Sequence, residues 1–378
     1  KDETYPSEWA EKQINKADSI VNGNLHYFFS DKKKVGSPPK WLSNPFNKTD
    51  LENNNCHWTK IGDFNLQTGD IKILWEPSRF YWLTDLAIAY KITGKNIYLD
   101  TINSWVVDWC INNPYNIGVN WKCGQEASIR VINLLLTLVL LNQENNNNSY
   151  IKEIIFLHLE RIKSNIRYAI AQDNNHGISE AAALYIGGSW LSNNYIDFKK
   201  EGDKLKKIGA KWLEERTEYL IENNGSFSQH STNYHRVLID LLTITEFWRK
   251  LYRLKPFSRM FYSKMDKAIN WIEQMYDSDS GKVPNLGAND GSRILNLHSL
   301  DYNNFKTTIQ TSRKIFSNYR RFENGPWDET SYNLRLNKKF NLKKIEKKPS
   351  ILDKGYGIFN SNKNTWGLIR LPHFVFRP

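Results

Sequence analysis

Two short polar clusters hold the residue types that could do chemistry in this chain. Residues 174–177 read Asn-Asn-His-Gly, and residues 229–236 read Gln-His-Ser-Thr-Asn-Tyr-His-Arg, each within sequence that has the apolar pattern of buried helices. Amides, imidazoles, a phenol and a guanidinium are costly to bury unless each polar atom finds a partner. At helix ends such groups can instead face a cleft. The clusters therefore predict an enzyme that acts on a polar, anionic ligand.

A purely structural interpretation competes with this one at both clusters. In the first, an Asn could cap the next helix while His176 bonds to a neighbour. In the second, an Asn or Ser could cap a helix that exposes only the tips of Tyr234 and Arg236. Two adjacent amides, Asn174 and Asn175, together with an imidazole exceed what one cap requires. We therefore favour a cleft.

Three further segments combine polar, charged or aromatic residues. Residues 75–79 read Trp-Glu-Pro-Ser-Arg and open the first clear helix, whereas Glu126 and Arg130 share a later one. Their spacing of four is that of an intrahelical ion pair. A Trp–Glu–Arg group that grips sugar hydroxyls and carboxylates is the alternative. The loop at residues 284–293 could be no more than a Gly-rich turn.

Composition narrows the class of ligand. The 378-residue chain has a net charge of +12, which predicts attraction to a polyanion such as an acidic polysaccharide, a nucleic acid or an acidic membrane surface. Its basic residues are scattered and form no basic helical stripe, and the sequence has no zinc finger or RNP-like motif. Both observations argue against nucleic acid as the ligand. No run reaches the ~18 apolar residues of a membrane span. The three cysteines have no metal-ligand spacing and are too few for a disulfide framework.

Helical periodicity dominates the middle of the chain, and strand alternation is nearly absent there. A succession of helix pairs favours a mainly α fold, an incomplete (α/α) toroid or barrel; an α-solenoid is the alternative, but no fixed-period repeat supports it. The predicted helices are residues 80–92, 101–111, 125–142, 150–172, 178–191, 204–223, 233–252 and 258–276.

After about residue 335 the character of the sequence changes. A basic, polar segment ends at Pro349, and residues 356–360 and 366–371 then have the pattern of two strands around a turn. We therefore divide the chain into an α/α-toroid domain at residues 1–335 and, at residues 336–378, a linker with the start of a β-sandwich domain. Two strands do not make a stable domain alone, so this second domain is expected to be truncated.

The order of the motifs resembles the N-terminal helical domain of the heparinase II/III family of polysaccharide lyases, with kinship to alginate lyases of the same architecture. The resemblance covers about residues 60–293 and implies an incomplete (α/α) toroid followed by a β-sandwich. The residues that carry it are, in chain order, Trp75, Glu76, Pro77, Ser78, Arg79, Asn120, Trp121, Glu126, Arg130, residues 174–177, Gln229, His230, Ser231, residues 233–236 and residues 284–291.

The resemblance implies cleavage of a uronate-containing glycan by β-elimination. Asn175 and His176 would neutralise the uronate carboxylate, and Tyr234 would protonate the leaving O4 and, in a syn elimination, could also be the base. The resemblance also implies supporting roles for ten further residues. Neighbours that orient Tyr234 or bind substrate are Gln229, His230 and Arg236; subsite or scaffold residues are Arg79, Trp121, Glu126 and Arg130; further substrate-binding residues are Asn174, Asn289 and Asp290.

The resemblance also implies parts that lie beyond the helical domain. Relatives place a further catalytic His or Tyr, and often a structural metal, in the β-sandwich, of which this chain has only the start. His373 lies there, but its surroundings favour an ordinary strand-end histidine. We expect no cofactor within residues 1–378, an acidic polysaccharide as the partner, and a periplasmic or secreted location, with the cytoplasm as the alternative.

Two other functions compete with the lyase. A non-catalytic glycan-binding or polysaccharide-biosynthesis protein could keep the fold without the chemistry. A glycoside hydrolase would need two carboxyl groups about 5–9.5 Å apart across a cleft. Glu126, Glu180 and Asp290 are the candidates for such a pair, and all three have plausible structural roles.

Overall fold

The chain forms two compact units in a computed structural model, and each unit is described by itself. The structure describes residues 5–52, 54–66, 68–145, 148–336, 338–345, 350–352, 355–360 and 366–370. Unit 1 is drawn from residues 1–167, 179–209 and 296–299, and unit 2 from residues 168–178, 210–295 and 300–378. The breaks between the units fall at residues 167–168, 178–179, 209–210, 295–296 and 299–300. The domain boundary predicted at residues 335–336 stays a prediction.

All eight helices predicted between residues 80 and 276 are present, with ends displaced by a few residues. The described part of the chain contains twelve α-helices: α1 Ser7–Val21, α2 Lys72–Ser78, α3 Tyr81–Thr93, α4 Asn96–Asn112, α5 Gly124–Leu140, α6 Ser149–Ala171, α7 Asn175–Asn194, α8 Lys199–Leu220, α9 Thr232–Leu251, α10 Arg259–Met275, α11 Lys306–Ser312 and α12 Glu329–Asn333. None of the described helices is long and apolar enough to cross a membrane.

Strands are short and lie mostly outside the helical middle of the chain. Unit 1 has three antiparallel pairs: β1 Asn24–Tyr27 with β2 Asp31–Lys34, β3 Ser43–Asn44 with β4 Thr49–Asp50, and β5 Phe64–Asn65 with β6 Gly69–Asp70. Unit 2 has a parallel pair and a three-stranded antiparallel sheet of order β11-β10-β9: β7 Tyr319–Arg320, β8 Asn341–Leu342, β9 Ser350–Leu352, β10 Tyr356–Asn360 and β11 Trp366–Arg370. The two predicted C-terminal strands are thus confirmed; His373 lies outside the described residues.

Tryptophans build the core of unit 1. Helix α3 packs against α1, α4 and α5, and Trp82 on α3 contacts Trp105 on α4 at a ring-centroid distance of 5.0 Å. Trp41 and Phe80 join the same cluster. Helix α5 is buried on nearly all sides: its second half is mostly apolar, and its first half buries Glu126 and Arg130 in polar contacts. Aromatic abundance in unit 1 therefore reflects core packing.

Helix α9 is the central element of unit 2 and packs against α10 and α11. Its N-cap is Ser231, whose hydroxyl accepts a hydrogen bond from the Tyr234 amide. One turn further, His235 is fully buried against the Trp271 ring, and its Nε2 lies 2.8 Å from the Ala268 carbonyl oxygen. This contact requires Nε2–H as the donor. Burial lowers the pKa of His235 to about 4, so the imidazole is neutral at pH 7.

Replacing His235 with Gln should weaken the dependence of stability on pH. Between pH 6.5 and 4 the unfolded chain protonates His235 and the folded chain does not, so stability is lost as pH falls, by about 1.4 kcal/mol per unit. Gln does not titrate, and its amide can still donate to Ala268. Urea unfolding at pH 7 and pH 4.5 should show a loss that is about 2–3 kcal/mol smaller in the variant. Equal losses in both proteins would contradict this assignment.

Candidate functional site

The two polar clusters are hydrogen-bonded to each other in unit 2. The Ser228 hydroxyl donates to the Asp173 carbonyl oxygen at 3.2 Å, and the Asn175 amide N–H donates to Gln229 Oε1 at 3.0 Å. These bonds join the turn before α7 to the turn before α9, although the paired residues are more than 50 positions apart in sequence. The N-terminal ends of the two helices are therefore neighbours.

The first cluster occupies a turn that is fixed from two sides. Asp173 has a left-handed backbone (φ 51°), and its carboxylate accepts from Arg216 Nη1 at 2.7 Å. Asn174 Oδ1 then accepts the His176 amide at 2.9 Å, as a capping side chain does. Asn175 is only 2% exposed, whereas His176 is half-buried. The capping interpretation thus holds for Asn174, and it leaves the Asn175 and His176 side chains for other roles.

The second cluster places Tyr234 on a carboxylate. Its phenol donates to Asp290 Oδ2 at 2.8 Å, and Asp290 Oδ1 accepts the Ser292 amide at 3.1 Å. Tyr234 and Asp290 are both only partly buried. Asp290, predicted as a substrate-binding residue, is therefore placed where it orients the predicted proton donor.

The loop that presents Asp290 is fastened to the start of α9. The Thr232 amide donates to the Leu286 carbonyl at 3.0 Å, and the Ser231 hydroxyl donates to the Ala288 carbonyl. Between them Gly287 has φ 69°, and a Cβ atom at this position would lie 2.4 Å from the His230 carbonyl oxygen. The loop can approach the α9 N-terminus this closely only because residue 287 is a glycine.

Replacing Gly287 with Ala should destabilise the protein more than the same change at Gly94. The two glycines have nearly identical φ angles, 69° and 68°, but a Cβ at Gly94 meets no atom within 4 Å. Both variants carry the left-handed strain of about 1–2 kcal/mol; only Gly287→Ala adds a backbone clash, which we expect to cost about 1–3 kcal/mol more. Chemical unfolding of the two variants measures the difference, and equal destabilisation would show that the loop yields freely.

Arg236 is a buried residue of the second cluster. Its guanidinium is fully buried, donates to the Tyr302 carbonyl and to Asn233 Oδ1 (2.9 Å for the latter), and lies 4.2 Å from the centre of the Tyr302 ring. The Tyr302 phenol reaches Asn289 Oδ1 at 2.7 Å. Of the roles predicted for Arg236, its burial favours positioning over direct substrate contact, while the exposed Asn289 stays available to a ligand.

His230 has a partner that the sequence did not reveal. Its backbone is left-handed (φ 49°), a strained conformation that is common at functional sites, and its Nδ1 lies 2.9 Å from the Tyr356 hydroxyl on β10. Burial, followed by the charge of Arg370, lowers the pKa of His230. The imidazole is therefore neutral at physiological pH. In the sequence Tyr356 is one aromatic residue of a predicted strand, which indicates packing only.

The upstream motifs form a buried ion network in unit 1. Arg79 donates to both carboxylate oxygens of Glu126 at 2.8 and 2.9 Å, and also to Glu76. Although burial opposes it, the charges of Glu126 and Glu76 raise the pKa of Arg79. Arg130 instead donates to His158 Nε2 at 2.9 Å and lies over the Trp121 ring. The simpler interpretation of Glu126 and Arg130 as an intrahelical ion pair is therefore wrong, because Arg79 takes the carboxylate.

The surroundings of these upstream side chains help to decide between the subsite and scaffold roles predicted for them. Arg79, Trp121, Glu126 and Arg130 are each at most 4% exposed. Arg79 and Glu126 pair with each other, and Arg130 donates to His158 and to the Asn120 carbonyl, so these side chains fit the scaffold role rather than the subsite role. In the part of the chain that the structure describes, no three His, Cys, Asp or Glu residues lie together as metal ligands would.

Comparisons with known proteins bear on the family and the fold of the chain. The model of the heparinase II/III N-terminus family matches residues 3–321, whereas no curated protein sequence matches. Among solved structures, heparinase III is similar with a TM-score of 0.58 and 17% identity, over 92% of this chain and 50% of that one. A mutant of the heparan sulfate lyase HepC from Pedobacter heparinus gives a TM-score of 0.52 and 16% identity, over 94% and 50%.

The chain thus spans about half the length of these structures. At this identity the likeness speaks to the fold, and it confirms the predicted fold class, a mainly α chain of the (α/α)-toroid type. The family model covers most of the chain, from residue 3 to residue 321. The chain therefore belongs to the heparinase II/III family.

Proposed function

We propose that this chain is part of a polysaccharide lyase that cleaves a uronate-containing glycan by β-elimination. The observation that carries the proposal is the hydrogen-bonded pairing of the two clusters, which holds Asn175 and His176 beside the segment that leads to Tyr234. The names of the similar structures, heparinase III and heparan sulfate lyase, support the same reaction class.

Elimination first requires that the uronate carboxylate be neutralised, so that the C5 proton becomes acidic enough to remove. Asn175 begins α7, and the positive end of a helix dipole favours an anion there. The Asn175 amide can donate a hydrogen bond to a carboxylate oxygen, and the neighbouring His176 can add a second donor. Donors that strengthen as negative charge moves onto the carboxylate stabilise the enolate-like intermediate.

The leaving group then needs a proton as the C4–O4 bond breaks and the C4=C5 double bond forms. Tyr234 supplies it: its phenol is held as a donor by Asp290 Oδ2 and needs only to turn to O4 of the substrate. A carboxylate at hydrogen-bond distance also repels a phenolate. The Asp290 contact therefore supports Tyr234 as the acid and disfavours the alternative in which Tyr234 is also the base.

A separate group must accept the C5 proton before the C4–O4 bond breaks. Of the three imidazoles in the joined clusters, His235 is buried on the Ala268 carbonyl, which leaves His176 and His230. His230 is kept neutral by its lowered pKa and could accept a proton at neutral pH. The Tyr356 hydroxyl at its Nδ1 can fix the tautomer that leaves Nε2 as the acceptor. Because His176 is assigned to the uronate carboxylate, we propose His230 as the base.

The hydrolase alternative needs two carboxyl groups across a cleft, and of its three candidates only Asp290 stays accessible. Glu126 is held in the ion network of Arg79. Glu180 is 3% exposed and lies against Gly124, where even an added Cβ would meet its Oε1 at 2.3 Å. A non-catalytic glycan-binding protein is the remaining alternative, because it would need the same fold and no chemistry.

The proposed function is tested with the full-length protein and a panel of acidic polymers: heparan sulfate, hyaluronan, alginate and bacterial capsular polysaccharides. A lyase produces an unsaturated uronate whose C4=C5 bond absorbs in the ultraviolet. We expect absorbance to rise with at least one polymer. Saturable binding that weakens with salt but gives no absorbance on any polymer would favour the binding protein and overturn the lyase.

A further inference from the structure

The β1–β2 hairpin of unit 1 carries an unusual row of cationic groups on one face. Its register pairs His26 with Lys32 and Asn24 with Lys34. These four side chains point outward, whereas Leu25 and Tyr27, on the opposite face, are at most 7% exposed and belong to the core. We call Lys32 and Lys34 the cationic row, because the lowered pKa of His26 leaves its imidazole neutral at physiological pH; neighbours along one strand are about 6.5–7 Å apart on this face.

The charge of the cationic row is not balanced by the protein. Among the residues that the structure describes, neither Lys32 nor Lys34 forms an ion pair with a carboxylate, and the Lys34 ammonium donates only to the Asn22 carbonyl. Burial, followed by the charges of Lys16 and Lys32, lowers the pKa of His26, while Lys16 itself is paired with Asp85 at 2.7 Å. Lys32 and Lys34 lie on one face of the same strand and repel each other, so the hairpin is organised for an external anion rather than for its own stability.

Strained aromatic residues form the turn beside the row. Phe28 and Phe29 have left-handed backbones, with φ of 50° and 60°, which bulky residues rarely adopt. The turn is nevertheless held: the Phe28 amide donates to Glu76 Oε2 at 3.1 Å, and the Phe29 ring contacts Tyr81. Both rings are half-buried, and the nearby Phe46 is 42% exposed. Backbone strain retained with partly exposed rings is typical of a binding site.

We propose that this hairpin is a binding surface for an anionic polysaccharide. Carboxylate or sulfate groups would contact the cationic row, and the Phe28–Phe29 turn would stack against sugar faces. The choice of an acidic glycan over a nucleic acid rests on the proposed function. The surface is argued from unit 1 alone and needs no residue of the Asn175–Tyr234 site.

The test compares two double variants that each remove two positive charges. Lys32→Gln/Lys34→Gln changes the row; Lys200→Gln/Lys207→Gln changes two exposed lysines seven residues apart on α8. Both are made in the full-length Tyr234→Phe protein, so that binding of a sulfated or uronate octasaccharide can be measured without turnover. Because exposed ion pairs are individually weak, we expect the row variant to bind roughly three- to tenfold more weakly and the α8 variant to be unchanged. Equal affinities for both variants would overturn the proposal.

Phe29→Gly supplies an independent test, because glycine relieves the left-handed strain while it removes the ring. We expect this variant to keep its melting temperature within a few degrees and to bind the octasaccharide more weakly; unchanged affinity would remove the turn from the surface. If the Tyr234→Phe parent binds no acidic glycan, the proposed function fails together with this one. If the parent binds and the row variant binds equally well, only the hairpin proposal fails. Tighter binding of single-stranded DNA than of any glycan would also overturn it.

Discussion

Replacing Tyr234 with Phe should reduce turnover by roughly 10²–10⁴-fold, the usual effect of removing a general acid. The hydroxyl is the only group of the side chain that is lost, and its acceptor Asp290 is partly exposed and can be solvated by water. The ring stays in place, so the free energy of unfolding of the variant should lie within about 1 kcal/mol of that of the parent. The measurement is the initial rate of ultraviolet absorbance on the polymer that the full-length protein cleaves.

Tyr262→Phe is the matched control for that variant. Tyr262 also lies in unit 2, is partly buried, and donates its phenol to a carboxylate oxygen, Glu246 Oε2, at 3.2 Å. It should keep full activity, because Glu246 is already paired with Arg249 in the core. A Tyr234→Phe protein as active as Tyr262→Phe would remove Tyr234 from the mechanism.

Replacing Asn175 with Ala should lower turnover by about 10²–10³-fold, as the loss of one preorganised donor to a developing oxyanion does. Asn175→Asp should be at least as damaging, because a carboxylate would repel the uronate instead of neutralising it. A negative charge in the first turn of α7 suits the helix dipole, which limits any loss of stability from this change. The same rate assay, with chemical unfolding in parallel, separates lost chemistry from lost structure.

Asn193→Ala provides the control at the other end of α7. That exposed amide donates only to the Ser189 carbonyl, at 2.7 Å, and we expect its removal to leave the rate unchanged. An Asn175→Asp protein with more activity than Asn175→Ala would contradict neutralisation of a carboxylate at this position.

The helices could be predicted from sequence because their information is local. Apolar residues at helical spacing fix each amphipathic face, as on α10, where Phe261, Met265, Ala268 and Ile272 are all buried. Less of the structure could be predicted for the N-terminal 80 residues, because strands of two to four residues are too short to show an alternating pattern. Helix α1 and the β1–β2 hairpin were therefore not predicted.

The residues of the site could be predicted from the sequence, but the contacts between them could not. Polar groups within apolar sequence identify Asn175 and Tyr234, because buried polarity needs a reason. The bond from Asn175 to Gln229 spans 54 residues, and only the folded chain reveals it. Spacing misled at Glu126 and Arg130, where an ion pair is geometrically allowed but Arg79, 47 residues from Glu126, makes a better two-point contact. Tyr356 was missed because a strand tyrosine has no distinguishing local pattern.

The most direct test of β-elimination at the joined clusters is the mass of the products from one defined uronate oligosaccharide. The full-length protein should split it into two fragments whose masses add up to that of the substrate, with the new unsaturated end on one of them, and Tyr234→Phe should give neither fragment. Two fragment masses whose sum exceeds the mass of the substrate by one water molecule would show hydrolysis and contradict the account.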